Sequence, residues 1–159
     1  MRNPLIVSAV FAAVILPGPS FAGNGSVPFT AKVAALCEIL VQKSGQMGVT
    51  PDLATLSSEI TPGNRGIASV RASTAGFSIT ANPPKAFNTS PAGGGDSVEF
   101  STLYTLTGAT NTTDQAGTTP TKMDIGISQM EVGLVAKKTS GIYLHGDYTA
   151  EVVVLCDKG

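Results

Sequence analysis

Strict two-residue alternation near the end of the sequence constrains the fold of this 159-residue chain more than any other feature. From Tyr148 to Cys156 an apolar side chain stands at every second position, with Thr149 and Glu151 among the residues between them. A period of two belongs to a β-strand with one buried face, because successive strand side chains point to opposite faces. The pattern therefore predicts a final strand whose buried face carries Tyr148, Ala150, Val152, Val154 and Cys156.

Similar patterns predict further strands along the chain, at residues 27–33, 37–41, 66–73, 77–81, 97–107 and 130–138. In the first of these segments the alternating apolar residues are Val27, Phe29, Ala31 and Val33. The segments 66–73 and 77–81 flank a turn at Gly76 and predict a hairpin. About seven short strands separated by turn signals are typical of an all-β antiparallel sandwich.

Four segments depart from simple alternation. The buried face changes near Thr102, which predicts a bulge or a bend in that strand. Residues 90–96 carry a glycine triplet and residues 108–122 are rich in Thr, Asn, Asp and Gly, and both compositions predict loops. Residues 51–59 indicate a helical turn.

The start of the chain, over residues 1–22, has the pattern of a secretory signal peptide. Arg2 supplies a positive start, residues 5–16 form an apolar run, and Ser20-Phe21-Ala22 matches a small-x-small cleavage site. The apolar run is shorter than the roughly 20 residues that a membrane-spanning helix needs. We therefore expect a cleaved leader over residues 1–22, one domain over residues 23–159, and no membrane span after processing.

Two cysteines, Cys37 and Cys156, lie in the mature part of the chain. An exported domain with an even number of cysteines favours a disulfide, which would here join the first strand to the last. Two buried free thiols are the alternative. Removal of Arg2 leaves nine basic residues against eleven acidic ones, a net charge of −2. We expect no nucleic-acid partner, because such partners require clustered Lys and Arg.

The sequence offers little support for catalysis or metal binding. His145 is the only histidine, which excludes a multi-histidine metal site, and it is expected in a surface turn. No G-x-S-x-G motif accompanies it, and the glycine triplet in residues 93–95 lacks the lysine of a phosphate-binding loop. Asp114 and Asp124 do not have the spacing of a calcium loop. We expect no catalytic residue, no metal and no cofactor.

Both ends of the mature sequence resemble a known family. Residues 26–37 (SVPFTAKVAALC) look like the exported strand that leads to a cysteine in pilin-like domains. Residues 145–154 (HGDYTAEVVV) resemble the closing strand of those domains. Spore coat protein U domains and chaperone–usher fimbrial subunits share this layout. The resemblance implies an immunoglobulin-like sandwich that is exported to the periplasm, the cell surface or the extracellular space.

For function, the resemblance implies assembly by strand exchange. The donor role would fall on Val27, Phe29, Ala31 and Val33, and the chaperone-facing role on Tyr148, Ala150, Val152 and Val154. The expected partners are further copies of this chain, other pilin-like subunits or a periplasmic chaperone. Two features differ from the family, in which the first cysteine usually pairs with one in the second strand and the chain often ends near a tyrosine. Here the only available partner is Cys156, and the chain ends Asp-Lys-Gly.

The stretch between the predicted cleavage site and Cys37 is short and consists of residues 23–36. It spans roughly 46 Å at about 3.3 Å per residue, enough for one long strand but scarcely for a donor extension plus a complete first strand. The leading hypothesis is a non-enzymatic structural or adhesive surface subunit. The alternative is a monomeric secreted or periplasmic binding module that uses residues 90–96 and 108–122. A small hydrolase or inhibitor is a third hypothesis, in which activity would depend on His145.

Overall fold

The computed structural model describes residues 23–159, and the signal peptide predicted for residues 1–22 lies outside the described residues. The chain divides after Lys32, and one compact unit comprises Val33–Gly159, which holds all of the strands. Residues 23–159 include no helix of the length and apolarity needed to cross a membrane.

Ten strands build the domain, and all of their pairings are antiparallel, as the sequence predicted. Seven strands have five or more residues, and six of these match predicted strands, whereas the strand Thr112–Ala116 and the three shorter strands were not predicted. The strands are β1 (Cys37–Lys43), β2 (Gly48–Val49), β3 (Thr55–Ser57), β4 (Gly66–Ala72), β5 (Phe77–Asn82), β6 (Val98–Gly108), β7 (Thr112–Ala116), β8 (Thr121–Lys122), β9 (Gly126–Lys138) and β10 (Val153–Lys158).

The strands form two sheets, one of seven strands and one of three. In the larger sheet β9 is central: it pairs with β6 along one side and with β4 and then β3 along the other. The strands β1, β2 and β7 extend this sheet by pairing with β4, β3 and β6. In the smaller sheet β5 lies between β10 and β8.

The main core lies where β4, β6 and β9 of the larger sheet pack against β5 of the smaller one. Period-two alternation puts every second side chain of β4 and β5 into this space. The buried residues are Ala68, Val70, Ala72, Phe77, Ile79, Ala81, Tyr104, Leu106, Met123 and Met130. The hydroxyl of Tyr104 donates to the carbonyl oxygen of Thr119 at 2.7 Å, and burial raises the pKa of this phenol.

The disulfide predicted between Cys37 and Cys156 is confirmed, with the two Cα atoms 6.3 Å apart. It joins β1 in the larger sheet to β10 in the smaller sheet. Disulfides persist in oxidising compartments and are rare in the reducing cytosol. The bond is therefore consistent with an exported protein.

A guanidinium group links four segments on the outer face of the larger sheet. Arg65 donates from Nε to Glu59 Oε1 at 2.8 Å, from Nη2 to Asp114 Oδ1 at 2.8 Å, and from Nη1 to Thr105 Oγ1 at 3.2 Å. A Cβ added at Gly133 would lie 2.7 Å from Glu59 Oε1, so the glycine leaves room for this cluster. The cluster ties residues that flank β3 and β4 to β6 and β7.

Two predicted features of strand arrangement are wrong. The segments 66–73 and 77–81 do not form a hairpin, because the chain crosses between them from the larger sheet to the smaller one. The face change predicted near Thr102 is also wrong, since the β6–β9 register is continuous there, although the pairing of β6 with β7 has a register shift between Tyr104 and Leu106. Thr102 instead takes its regular place on the buried face, since its hydroxyl donates to the carbonyl oxygen of Ala81.

Other boundaries also differ from the prediction. The last strand begins at Val153 rather than at Tyr148, because its partner β5 ends at Asn82 before two prolines, which cannot donate to a ladder. Residues 51–59 contain β3 and no helix, although one turn is closed by a hydrogen bond from Leu53 N to the carbonyl oxygen of Thr50. Residues 108–122 contain β7 and β8, whose polar residues carry no apolar period.

The predicted first strand is absent: residues 27–33 belong to no strand, although they keep the alternating pattern. The side chains of Val27, Phe29, Ala31 and Val33 are exposed, and that of Phe29 is 93% exposed. The first strand of the structure therefore starts at Cys37, and the whole stretch 23–36 after the predicted cleavage site precedes it.

Candidate strand-binding groove

A groove of about 1130 Å³ runs between β1 and the chain that leads into β10. Its lining is mainly apolar and includes Val41, Met47, Leu56, Ala68, Val132 and Leu134. The groove is continuous with the inter-sheet space, since Ala68 belongs to the main core and Leu56 to a second buried cluster. It is the space that an additional strand between β1 and β10 would occupy.

Val41 shows that the groove has no cover on the β1 side. It lies opposite Ala68 in the β1–β4 register, and directly opposed residues of antiparallel strands share a face. Ala68 is 4% exposed, whereas Val41 is 72% exposed. Among the described strands β1 pairs with β4 alone, so its other edge is free. A side chain on the core face of the sheet is therefore open to solvent beside an unpaired strand edge.

The opposite wall carries four half-buried side chains at every second position. They are Tyr148, Ala150, Val152 and Val154, and all four line the groove. The intervening residues Thr149, Glu151 and Val153 are exposed, so the predicted alternation of faces is confirmed here. Residues 150–152 belong to no strand, and Thr149 directs its backbone hydrogen bonds to Asn88 and Thr89.

One end of the groove is fixed by a cluster of aromatic rings. Tyr148 packs edge-on against Phe87 and Tyr143, with ring centroids 5.1 and 5.2 Å away. The Tyr148 hydroxyl donates to the carbonyl oxygen of Leu144 at 2.9 Å and accepts from its backbone N–H at 3.0 Å. Burial, aided by the neighbouring Tyr148, raises the pKa of Tyr143 to about 12. The start of this wall is therefore anchored to the domain.

The charged residues of the groove lie at its rim. Lys43, Asp147 and Glu151 line the groove with exposed side chains, so these three groups carry a net charge of −1 at neutral pH. His145, singled out as the only possible imidazole base, also lies at this rim in the exposed turn where it was expected. The groove therefore offers an apolar interior with a weakly acidic border.

The sequence pattern predicts one wall of this groove and not the other. The predicted chaperone-facing residues all line it, and the predicted donor residues are exposed outside any strand. Val41, Met47, Leu56 and Leu134 were not singled out, although they line the groove as well. The signal that could have found Val41 was the apolar run Ile39-Leu40-Val41, because consecutive apolar residues put apolar side chains on both faces of a strand.

The sequence also predicts that the protein has no metal site, no cofactor and no catalytic residue. Within residues 23–159 no group of three or more His, Cys, Asp or Glu side chains is placed to hold a metal ion. The predictions that the protein has no cofactor and is not an enzyme stay predictions. Residues 90–96, suggested as a ligand loop, are held by a hydrogen bond from Gly94 N to Pro91 O and by one from Lys138 Nζ to Asp96 O.

No family model matches this chain, and no curated protein matches it.

Proposed function

We propose that this protein is a non-enzymatic, exported structural or adhesive subunit that assembles by β-strand addition. In this proposal the groove of one copy takes the alternating segment 27–33 of a second copy. The periplasm or the cell surface is the proposed location, where the disulfide would persist.

The observation that carries the proposal is the open position of Val41 beside a free strand edge. An edge strand with apolar side chains can accept a further strand through backbone hydrogen bonds, while pockets take alternate side chains of the added strand. Residues 27–33 have the matching form, with four apolar side chains at every second position and no strand pairing of their own. The chain thus carries both an acceptor groove and a segment of the right pattern.

The path of the chain before β1 indicates that the segment 27–33 enters the groove of a second copy and not that of its own copy. Ser73, which follows β4, donates from its backbone N to the carbonyl oxygen of Leu36 at 2.9 Å. Its hydroxyl accepts from Leu36 N at 2.8 Å and donates to the carbonyl oxygen of Ala34 at 3.1 Å. The chain at residues 34–36 therefore continues the line of β1 past the end of β4, away from Val41. Return to its own groove would need a sharp reversal near Val33, where there is no Gly or Pro.

The start of β1 at Cys37 removes the objection that the N-terminal segment is too short. Residues 23–36, which follow the predicted cleavage site, all lie before β1, so none of them is needed to complete the sheet. The resemblance to pilin-like domains supports the same proposal. A periplasmic chaperone would be a second partner, holding the groove before another subunit fills it.

Complementation of two variants tests the proposal. The donor variant carries Val27→Ser, Phe29→Ser and Val33→Ser, which removes the alternating apolar side chains but leaves the groove intact. The acceptor variant carries Val41→Arg, which puts a charge into the groove at a side chain that is already exposed. We expect the unaltered processed chain to form a ladder of oligomers in size-exclusion chromatography, and each variant alone to be a monomer. A mixture of the two should stop at a dimer.

Ile125→Ser is the matched control, because Ile125 is an exposed isoleucine outside the groove. Its oligomers should equal those of the unaltered chain. A sharp monomer of the unaltered chain at every concentration would contradict assembly and favour the monomeric binding module. Equal oligomerisation of all variants would show that contacts other than this groove hold the copies together.

A further inference from the structure

The groove has one closed end, at the disulfide. Val41 and Lys43 of β1 line the groove, and so do Val152 and Val154 on the other wall. The next inward-facing residues in the direction of the bond, Ile39 and the two bonded cysteines, do not line it and pack against the main core instead. The open space therefore ends between Val154 and Cys156.

The spacing of the walls at the bond leaves no room for a strand. Neighbouring strands lie about 4.7–4.9 Å apart, so a strand paired with both walls holds them roughly 9.5 Å apart. The Cα atoms of Cys37 and Cys156 are 6.3 Å apart. Because the bond is covalent, the walls cannot separate at this point to admit a longer strand.

Resting on the strand-addition function proposed above, we infer that the Cys37–Cys156 disulfide is an end stop that sets the length and register of the bound strand. From Val154 back to Tyr148 the wall has seven residues, four of which face the groove. The segment 27–33 also has seven residues, four of which are the alternating apolar ones. The bound segment fills the wall from the aromatic cluster to the bond and stops there.

Backbone amide exchange measured by NMR on the oxidised full-length donor variant tests this inference. The added ligand is a synthetic peptide of residues 27–33 (VPFTAKV). New protection is expected in β1 between Leu40 and Lys43 and in the wall between Ala150 and Val154. No new protection is expected at residues 37–39 or at residues 156–158. New protection at either of these two stretches would overturn the end stop.

Peptide length gives a second measurement. An eleven-residue peptide of residues 25–35 should bind with a dissociation constant within about threefold of the seven-residue peptide, because its extra residues are Gly, Ser and two Ala, which the bond stops at one end and which bury little apolar surface at the other. A five-residue peptide of residues 29–33 should bind at least about tenfold more weakly, because it lacks one buried valine. A gain of tenfold or more for the longest peptide would contradict the inference.

A variant without the bond, Cys37→Ala with Cys156→Ala, completes the test. Where it folds, new protection should reach residues 37–39, and the eleven-residue peptide should then bind more tightly than the seven-residue one. Where it does not fold, the results on the oxidised protein decide. Failure of every peptide to bind or to protect any amide would overturn the strand-addition proposal itself, whereas binding that passes the bond overturns the end stop alone.

Discussion

The inter-sheet space of this domain has a closed region and an open region built from the same kind of strand. In the closed region Val70 of β4 and Ile79 of β5 are fully buried between the two sheets. In the open region Val41 of β1 points to the same side of the larger sheet as Val70, yet most of its surface is exposed. The two regions differ in cover, although the core-facing side chains alternate along the strand in both.

This difference shows that period-two alternation specifies a face and not a partner. Wherever the chain itself supplies a covering strand, the face becomes core. Where it does not, the same face remains as an apolar groove, and large exposed apolar surfaces of this kind mark interaction sites. In the proposed strand addition, the segment 27–33 of a second copy would cover the open region.

Loss of the disulfide should have the largest effect, because this bond joins the sheets where the two regions meet. The bond closes a loop with a sequence separation of 119 residues. Cys37→Ala with Cys156→Ala is expected to lower the free energy of unfolding by about 2–5 kcal/mol. The measurement is urea unfolding of oxidised protein and variant at a concentration where both are monomers. A loss below about 1 kcal/mol would show that the sheets hold together without the bond.

Two truncations compare the regions directly. Ile79→Ala should cost about 2–5 kcal/mol of stability, because it leaves a cavity in the closed region. Val41→Ala should change stability by less than about 0.5 kcal/mol while the groove is empty, because the side chain is already in water. Urea unfolding of dilute monomer measures both. Equal costs would break the distinction between closed and open regions.

Substitution of Arg65 on the outer face should lower the free energy of unfolding by less than either the loss of the disulfide or the truncation of Ile79. Arg65→Met removes two ion pairs and a hydrogen bond that tie four segments together, and should cost about 1–2 kcal/mol after discounting for solvent screening. Arg71 is the matched control: its pair with Glu38, between β4 and β1, is exposed on both sides. Arg71→Met should cost less than about 0.5 kcal/mol. Thermal or urea unfolding distinguishes the two, and a larger cost at Arg71 would contradict the assignment.

The dependence of stability on pH should be the smallest of these effects. The hydrogen bond from Arg65 holds the pKa of Glu59 below its ordinary value of 4.5, although partial burial opposes this shift. A depressed carboxyl pKa in the folded state stabilises the protein above the unfolded pKa, and this contribution disappears as pH falls through the folded pKa. Stability should therefore decline below about pH 4.5.

Asp52 has a lowered pKa as well, mainly through the hydroxyl of Thr50, so the test is a comparison between variants. The decline measured by unfolding should be shallower in Arg65→Met than in the unaltered chain. Identical pH profiles would show that Glu59 gains nothing from its partner.

Much of the architecture could be predicted from the sequence because alternation reports which side chains share a face. The positions of β4 and β5 are as predicted, and so are the inward-facing residues of the wall from Tyr148 to Val154 and the disulfide. Alternation could not show whether β4 and β5 pair with each other. Two alternating segments joined by a short turn fit either a hairpin or a crossing between sheets.

The errors have related causes. The face change predicted near Thr102 is wrong because a threonine whose hydroxyl reaches a backbone carbonyl can occupy a buried position. The strands β7 and β8 consist of polar residues and give no periodic signal. The segment 27–33 has a clear signal without a strand, because alternation indicates the capacity to pair and does not supply the neighbour.

The position of the disulfide also determines how linked subunits would carry mechanical tension. The segment 27–33 connects through three residues to Cys37, and the groove that receives a neighbour lies between β1 and β10, which the same bond joins. A pull along a row of subunits would pass from a subunit's own segment 27–33 to its Cys37 and across to its Cys156 through covalent bonds, and so to both strands that flank the neighbour's segment in the groove. The hydrogen bonds of the larger sheet would be spared most of that load.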